Sequence, residues 1–216
     1  MKLRSVLFAL LAAVLPLAVC AQPGQAAAPV AGTDYTEIPG GKPFAPVKGK
    51  VEVVEVFGYV CIHCAHFEPV LEQWQKKQPA WVELTLVPAA FGGYWIPYAK
   101  AYYAAEQLGV AAASHAAMFR ALHDEHSLPI QNASDAEIAG WYAQFGPDPD
   151  KFAAAMESPQ VTAKLLRARD FAMAAGVDGT PTLIVNGRWR VHGRDFQHAL
   201  RITDWLVQRE HAGAGK

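Results

Sequence analysis

The sequence predicts an α/β fold in which a strand–helix–strand half and a hairpin–helix half are separated by an all-helical insertion. Three observations carry this. Val51 to Phe57 and Val82 to Val87 are runs rich in β-branched and apolar residues, with an amphipathic stretch between them. From about Tyr98 to Ala175 the apolar spacing is helical throughout. Strand character then returns on either side of Asn186-Gly187, the strongest short hairpin signal, because both turn residues must take positive φ.

At the N-terminus, Lys2 and Arg4 precede an apolar stretch from Val6 to Val19 and a small-residue region from Cys20 to Ala28. This is the pattern of an export signal, too short to span a bilayer comfortably. Residues 1–21 are read as a signal peptide cleaved after Ala21, or as late as Ala28. Cleavage discards Cys20, unless Leu17-Ala18-Val19-Cys20 is a lipoprotein site and Cys20 is acylated; Val19 is bulky for such a site. Either route takes the chain out of the cytoplasm. It also removes two basic and no acidic residues, moving the formal net charge from −1 to −3. A mildly acidic protein is a poor partner for nucleic acid. With 216 residues and 52% hydrophobic content, the chain can bury one good core and carry an insertion.

Residues 22–34 read as a linker. Tyr35 to Ile38 is a short first strand closed by Pro39-Gly40-Gly41, and Val51 to Phe57 is the second. On it Val51, Val53, Glu55 and Phe57 share a face, which puts a carboxylate where an apolar residue is expected. Phe67, Val70, Leu71 and Trp74 fall at helical spacing, and Pro69 among them predicts a kink rather than an end. The next strand stops at Pro88. About five helices follow: one ending at Leu108-Gly109, one over Ser114 to Glu125, and one capped by Ser134 with Glu137 and ended by Gly146. Two more start at Asp148-Pro149 and Ser158-Pro159. Thr182 to Val185 and Arg188 to Val191 form the hairpin, the last helix starts near Asp195 with Phe196, Leu200 and Leu206 inward, and the end is a frayed tail. That order is the thioredoxin plan, interrupted. Residues 35–97 are its first part, 98–175 the helical insertion, 176–210 the second part and 211–216 the tail.

Cys61-Ile62-His63-Cys64 stands at the junction of the second strand and the first helix. Cys61 there meets unpaired N–H groups and the positive end of the helix dipole, which favour a thiolate by about 0.3–1 kcal/mol. Each ~1.4 kcal/mol of preference for the reduced form raises the potential by about 30 mV. With Cys20 gone, these are the only cysteines, and so short a loop would staple little; the pair reads as reactive. Cys61 is the exposed nucleophile and Cys64, one turn in, resolves the mixed disulfide. His63 can add a charge or donor beside the Cys61 sulfur, and His66 reads as helix surface. Glu55, if buried, can relay a proton to or from Cys64; the alternative is an edge-strand carboxylate reaching water. Phe91 to Tyr103, with Trp95, Tyr98, Tyr102 and Tyr103, either lines a peptide groove or cements two layers. His115, on an apolar helix face, reads as a satisfied core residue.

Glu55 six residues before Cys61, the Cys61–Cys64 motif and Gly179-Thr180-Pro181-Thr182 together resemble the DsbA-type periplasmic disulfide oxidases, over most of the mature chain. The resemblance implies a thioredoxin fold with an inserted helical domain and a cis-proline at Pro181 facing the cysteines. There the Thr180 backbone pairs with a bound cysteine-containing peptide. It further implies a periplasmic monomer that oxidises reduced, unfolded exported proteins and is reoxidised by a DsbB-type quinone-linked membrane oxidase. No cofactor and no metal are expected. Ile62 and Thr180 depart from the family's usual Pro and Val at positions that tune redox potential. The rival functions are a reductase or isomerase on the same fold, a periplasmic metal carrier using Cys61, Cys64, His63 or His66, and a holdase for unfolded chains.

Overall fold

The computed structural model describes residues 27–214; the signal segment and Cys20 lie outside the described residues. The elements are β1 (Tyr35–Glu37), β2 (Val51–Phe57), α1 (Ile62–Gln75) and β3 (Val82–Pro88), then α2 (Trp95–Gln107), α3 (Ala111–His123), α4 (Asp135–Tyr142), α5 (Pro149–Met156) and α6 (Pro159–Ala174), and finally β4 (Thr182–Val185), β5 (Trp189–Val191) and α7 (Phe196–Ala214). The strands form one sheet in the order β1-β5-β4-β2-β3. β2 and β3 are parallel, as a strand–helix–strand unit requires, and the remaining pairs are antiparallel.

β2 is an interior strand, and all seven of its residues are buried. One face of the sheet, with Val54 and Val56, packs against Tyr98, Tyr102, Met118 and Phe119 of the helical block. The other, with Val51 and Val53, packs against Phe67 and Leu71 of α1 and Leu200 and Leu206 of α7. A strand covered on both faces loses its polar/apolar alternation, which is why β2 reads as a nearly continuous apolar run.

Local signals set most helix ends. Ser134 and Glu137 cap α4 reciprocally, and the chain leaves that helix through a short 3-10 turn into Gly146 at φ 109°. Asp148 and Ser158 cap α5 and α6, each with proline in the first turn. α1 continues through Pro69.

Four details differ from the sequence expectation. α3 starts at Ala111 rather than Ser114; the Ser114 hydroxyl lies inside the first turn and donates back to the Val110 carbonyl at 2.9 Å. The hairpin ladder begins at Val185–Trp189, so Arg188 belongs to the turn with Asn186 (φ 53°) and Gly187 (φ 64°). α7 runs to Ala214 rather than fraying from His211: that ring stacks on Trp81 at 3.8 Å, and Glu210 accepts bonds from Asn186 and Trp189 of the hairpin. Within the expected linker, residues 30–34 form a turn, with Thr33 N and Asp34 N donating to Val30 O and Val30 N donating to Asp34 Oδ2.

Glu52, on β2 facing the helical block, is 2% exposed. It accepts bonds from Phe44 N at 2.6 Å, Ala45 N at 2.7 Å and Thr85 Oγ1 at 2.8 Å, tying the loop before β2 to the sheet. Glu52→Ala leaves three donors without an acceptor and should cost on the order of 3 kcal/mol. Urea unfolding would read this as a lower midpoint at unchanged slope, with Glu52→Gln losing less because its amide oxygen still accepts.

Candidate active site

The site is assembled by strand pairing. Antiparallel pairing of β2 with β4 sets Val56 opposite Thr182, so the segments just beyond both strands, 58–61 and 178–181, come together. At Gly58 a Cβ would lie 2.1 Å from the Trp95 ring, so this turn must lack a side chain there. The chain then turns through Tyr59 and Val60 and enters α1 at Cys61, which occupies the N-cap position with extended backbone (φ −93°, ψ 113°).

Both cysteines are free thiols in this structure; Cys61 is half-buried and Cys64 buried. As a thiol, Cys61 Sγ donates to the Thr180 carbonyl at 3.4 Å. The hydrogen bond from Cys64 holds the Cys61 pKa down at about 5, helped by the Thr180 side chain and the backbone N–H groups of Cys64 and His63, and opposed by burial. Burial drives the Cys64 thiol the other way, far above the ordinary thiol range, with its bond to Cys61 and the nearby charges of Glu55 and Cys61 adding to the effect. One sulfur is thus held as thiolate and the other as thiol.

Glu55 is 1% exposed on interior strand β2, paired with Leu86 on one side and Leu183 on the other. The edge-strand alternative is therefore set aside. Its Oε2 has no hydrogen-bond partner. Burial first, then the charges of Glu68 and Cys61, raise its pKa well above the carboxylate range.

The Thr180–Pro181 peptide is cis. His63, Thr180 and Pro181 line one groove of about 490 Å³ with Phe67, His192 and Phe196. His63 is exposed, and what it gives the sulfur of Cys61 is its backbone N–H. His66 is exposed on α1. The aromatic stretch divides: Tyr98, Tyr102 and Tyr103 are buried in the helical core, while Phe91 and Tyr94 are exposed beside Trp95. His115 is a satisfied core residue, with Nδ1 at 2.9 Å from the Tyr59 hydroxyl and Nε2 at 3.1 Å from Glu68. Sequence reasoning missed Glu68 and Tyr59. Glu68 follows Cys64 by four positions, one helical turn along the same face, and that spacing was the available signal.

A family model described as a DSBA-like thioredoxin domain matches residues 96–202. The chain is 36% identical over 189 residues to the thiol:disulfide interchange protein DsbA of Pseudomonas aeruginosa, covering 86% of this chain and 88% of that one. It is 34% identical over 184 residues to the protein of the same name from Azotobacter vinelandii, covering 84% of each. The crystal structure of oxidoreductase DsbA from Xylella fastidiosa superposes with a TM-score of 0.84 at 54% identity, covering 85% of this chain and 98% of that one. Similarity over nearly the whole described chain, in sequence and in fold, settles the family: this protein belongs to the DsbA family and is a thiol:disulfide oxidoreductase.

Proposed function

We propose that the protein is a monomeric periplasmic oxidant that transfers the Cys61–Cys64 disulfide to reduced, unfolded exported proteins. A DsbB-type quinone-linked membrane oxidase reoxidises it. The observation that carries this reading is the opposite treatment of the two sulfurs. Cys61 is held as thiolate at the N-terminus of α1 and Cys64 as thiol in the core. The hydrogen bonds that stabilise the Cys61 thiolate stabilise the reduced form over the disulfide, and a disulfide whose reduced form is stabilised is an oxidant.

In the forward reaction a substrate thiolate attacks Cys61, forming a mixed disulfide, and the electron pair leaves on Cys64. The buried sulfur needs a proton, and in this reading Glu55, whose burial raises its pKa, gives it. A second substrate thiolate then attacks the substrate sulfur of the mixed disulfide, and Cys61 leaves as the stabilised thiolate. Thr180 and Pro181, on the groove rim, hold the backbone of the substrate cysteine segment, and His63 presents a donor at the mouth. Residues 98–175 act as an inserted domain on the thioredoxin frame of 35–97 and 176–210. Processing of residues 1–21 places the protein in the periplasm. Among the described residues no helix is long and apolar enough to cross a membrane.

The test is direct. The oxidised protein should oxidise a reduced, unfolded multi-cysteine substrate faster than glutathione disulfide does; an equal or slower rate would overturn the reading. Cys61→Ser should abolish the reaction, and Cys64→Ser should trap a mixed disulfide visible on a non-reducing gel.

Cys61 alkylation by iodoacetamide should rise with pH through a midpoint near 5. This folded value is depressed, so ionisation stabilises the reduced protein completely above the unfolded thiol value of about 8.5, and the contribution is lost as pH falls through the folded value. The reduced form's melting-temperature advantage over the oxidised form should therefore shrink between neutral pH and acid. Its reduction potential should change by about 30 mV per pH unit above that midpoint and by about 59 mV per unit below it, where both sulfurs take a proton on reduction.

A further inference from the structure

The groove beside Cys61 is lined by apolar side chains, Phe67 and Phe196 among them, and by three exposed charged ones, Asp178, Arg194 and Asp195. Two of the three are already engaged at the start of α7. Asp195 Oδ1 accepts from His198 N at 2.7 Å, and Arg194 Nε donates to His198 Nδ1 at 3.4 Å. Asp178 has no such duty. Among the described residues its carboxylate makes neither a hydrogen bond nor an ion pair.

His192, also in the groove wall, lies in the field of that carboxylate, with its Nε2 at 2.9 Å from Thr36 Oγ1. Burial first, then Arg190, hold the His192 pKa below the ordinary imidazole value, outweighing the opposite pull of Asp178. At neutral pH this ring is therefore uncharged and does not offset Asp178.

The place of Asp178 in the chain gives its charge a target. It precedes Thr180 by two positions, which span at most about 7 Å, and the Thr180 carbonyl is 3.4 Å from Cys61 Sγ. A client cysteine joined to Cys61 and laid along Thr180 thus brings its own sequence neighbours within reach of Asp178. An exposed carboxylate contributes little to the stability of the free protein. At the edge of an interface it attracts one sign of charge and repels the other.

We propose that Asp178 is a specificity-determining residue, favouring client segments that carry lysine or arginine within two positions of the reactive cysteine and disfavouring those that carry a carboxylate there. The inference rests on the reading of Thr180 and Pro181 as the rim that holds the client backbone. It adds a preference among sequences to a site whose sulfur chemistry has none.

The experiment is the second-order rate at which the oxidised protein is reduced, at low salt, by three dithiol peptides that differ only in the residues flanking both cysteines: lysine, serine or glutamate. Each rate is divided by that of the same peptide with hydroxyethyl disulfide, an uncharged reference that cancels the peptide's own thiol reactivity. Wild type should prefer the lysine peptide to the glutamate peptide by about fivefold, with serine between, and the preference should collapse toward one in about 1 M salt. Asp178→Asn, which keeps the shape of the side chain, should reduce the ratio to about twofold or less, and Asp178→Lys should invert it. Asp150→Lys makes the same change in net charge on exposed α5 and should keep the wild-type ratio. The proposal is wrong if wild type, Asp178→Asn and Asp178→Lys share one ratio, or if Asp150→Lys moves it as far as Asp178→Lys does, since the effect is then one of overall charge. If wild type oxidises none of the peptides faster than hydroxyethyl disulfide does, the oxidant reading itself is lost and this inference goes with it.

Discussion

Pairing of β2 with β4 brings Cys61 and Thr180, 119 positions apart in the chain, to 3.4 Å. Most of the chemistry depends on that contact being held rather than reached. The N-cap position alone would favour a thiolate by less than about 1 kcal/mol in an exposed setting. Here the Cys61 sulfur also meets Cys64, the Thr180 side chain and two backbone N–H groups. The sheet supplies the rigidity and the loops supply the groups, so the nucleophile is tuned by elements that themselves have no part in exchange.

β2 carries two buried carboxylates, and their fates show how the same residue type is used for opposite ends. Glu52 accepts three bonds and works as a clamp on the preceding loop. Glu55, three positions on and facing the opposite side of the sheet, is left with an idle oxygen under the active-site helix. A satisfied buried carboxylate is structural; one that lacks partners changes its proton affinity instead. The strand tolerates both because it is fixed by neighbours on each side.

Much of this was legible from local signals. The strand–cysteine–helix junction, the Ser134 and Glu137 cap, the two proline starts and the Asn186-Gly187 turn each depend on a few adjacent residues, and the structure keeps them. What was not legible is set by distance. Whether Glu55 sat on an edge or in the interior depended on β4 arriving from the far side of the helical block. His115 could be read as a satisfied core residue, but its partners Tyr59 and Glu68 lie 56 and 47 positions away. The start of α3 was read three residues late because the run Ala111-Ala112-Ala113 carries no boundary signal, whereas Val110 and Ala111 pack against the core and Ser114 bonds back to Val110.

The contact between Trp95 and Gly58 has a consequence for how separable the two parts of the molecule are. Trp95 opens α2, the first helix of the helical block, and its ring occupies the space a side chain would need at the turn leading into Cys61. Tyr59, the next residue, is bonded to His115 of α3, and its carbonyl lies 2.7 Å from His123 Nε2. The turn that presents the nucleophile is therefore moulded from outside by the helices. Excising the helical block to obtain a minimal enzyme would remove the mould along with the ornament, and grafting the four-residue motif onto a smaller frame would transplant the cysteines without the surface that shapes their approach.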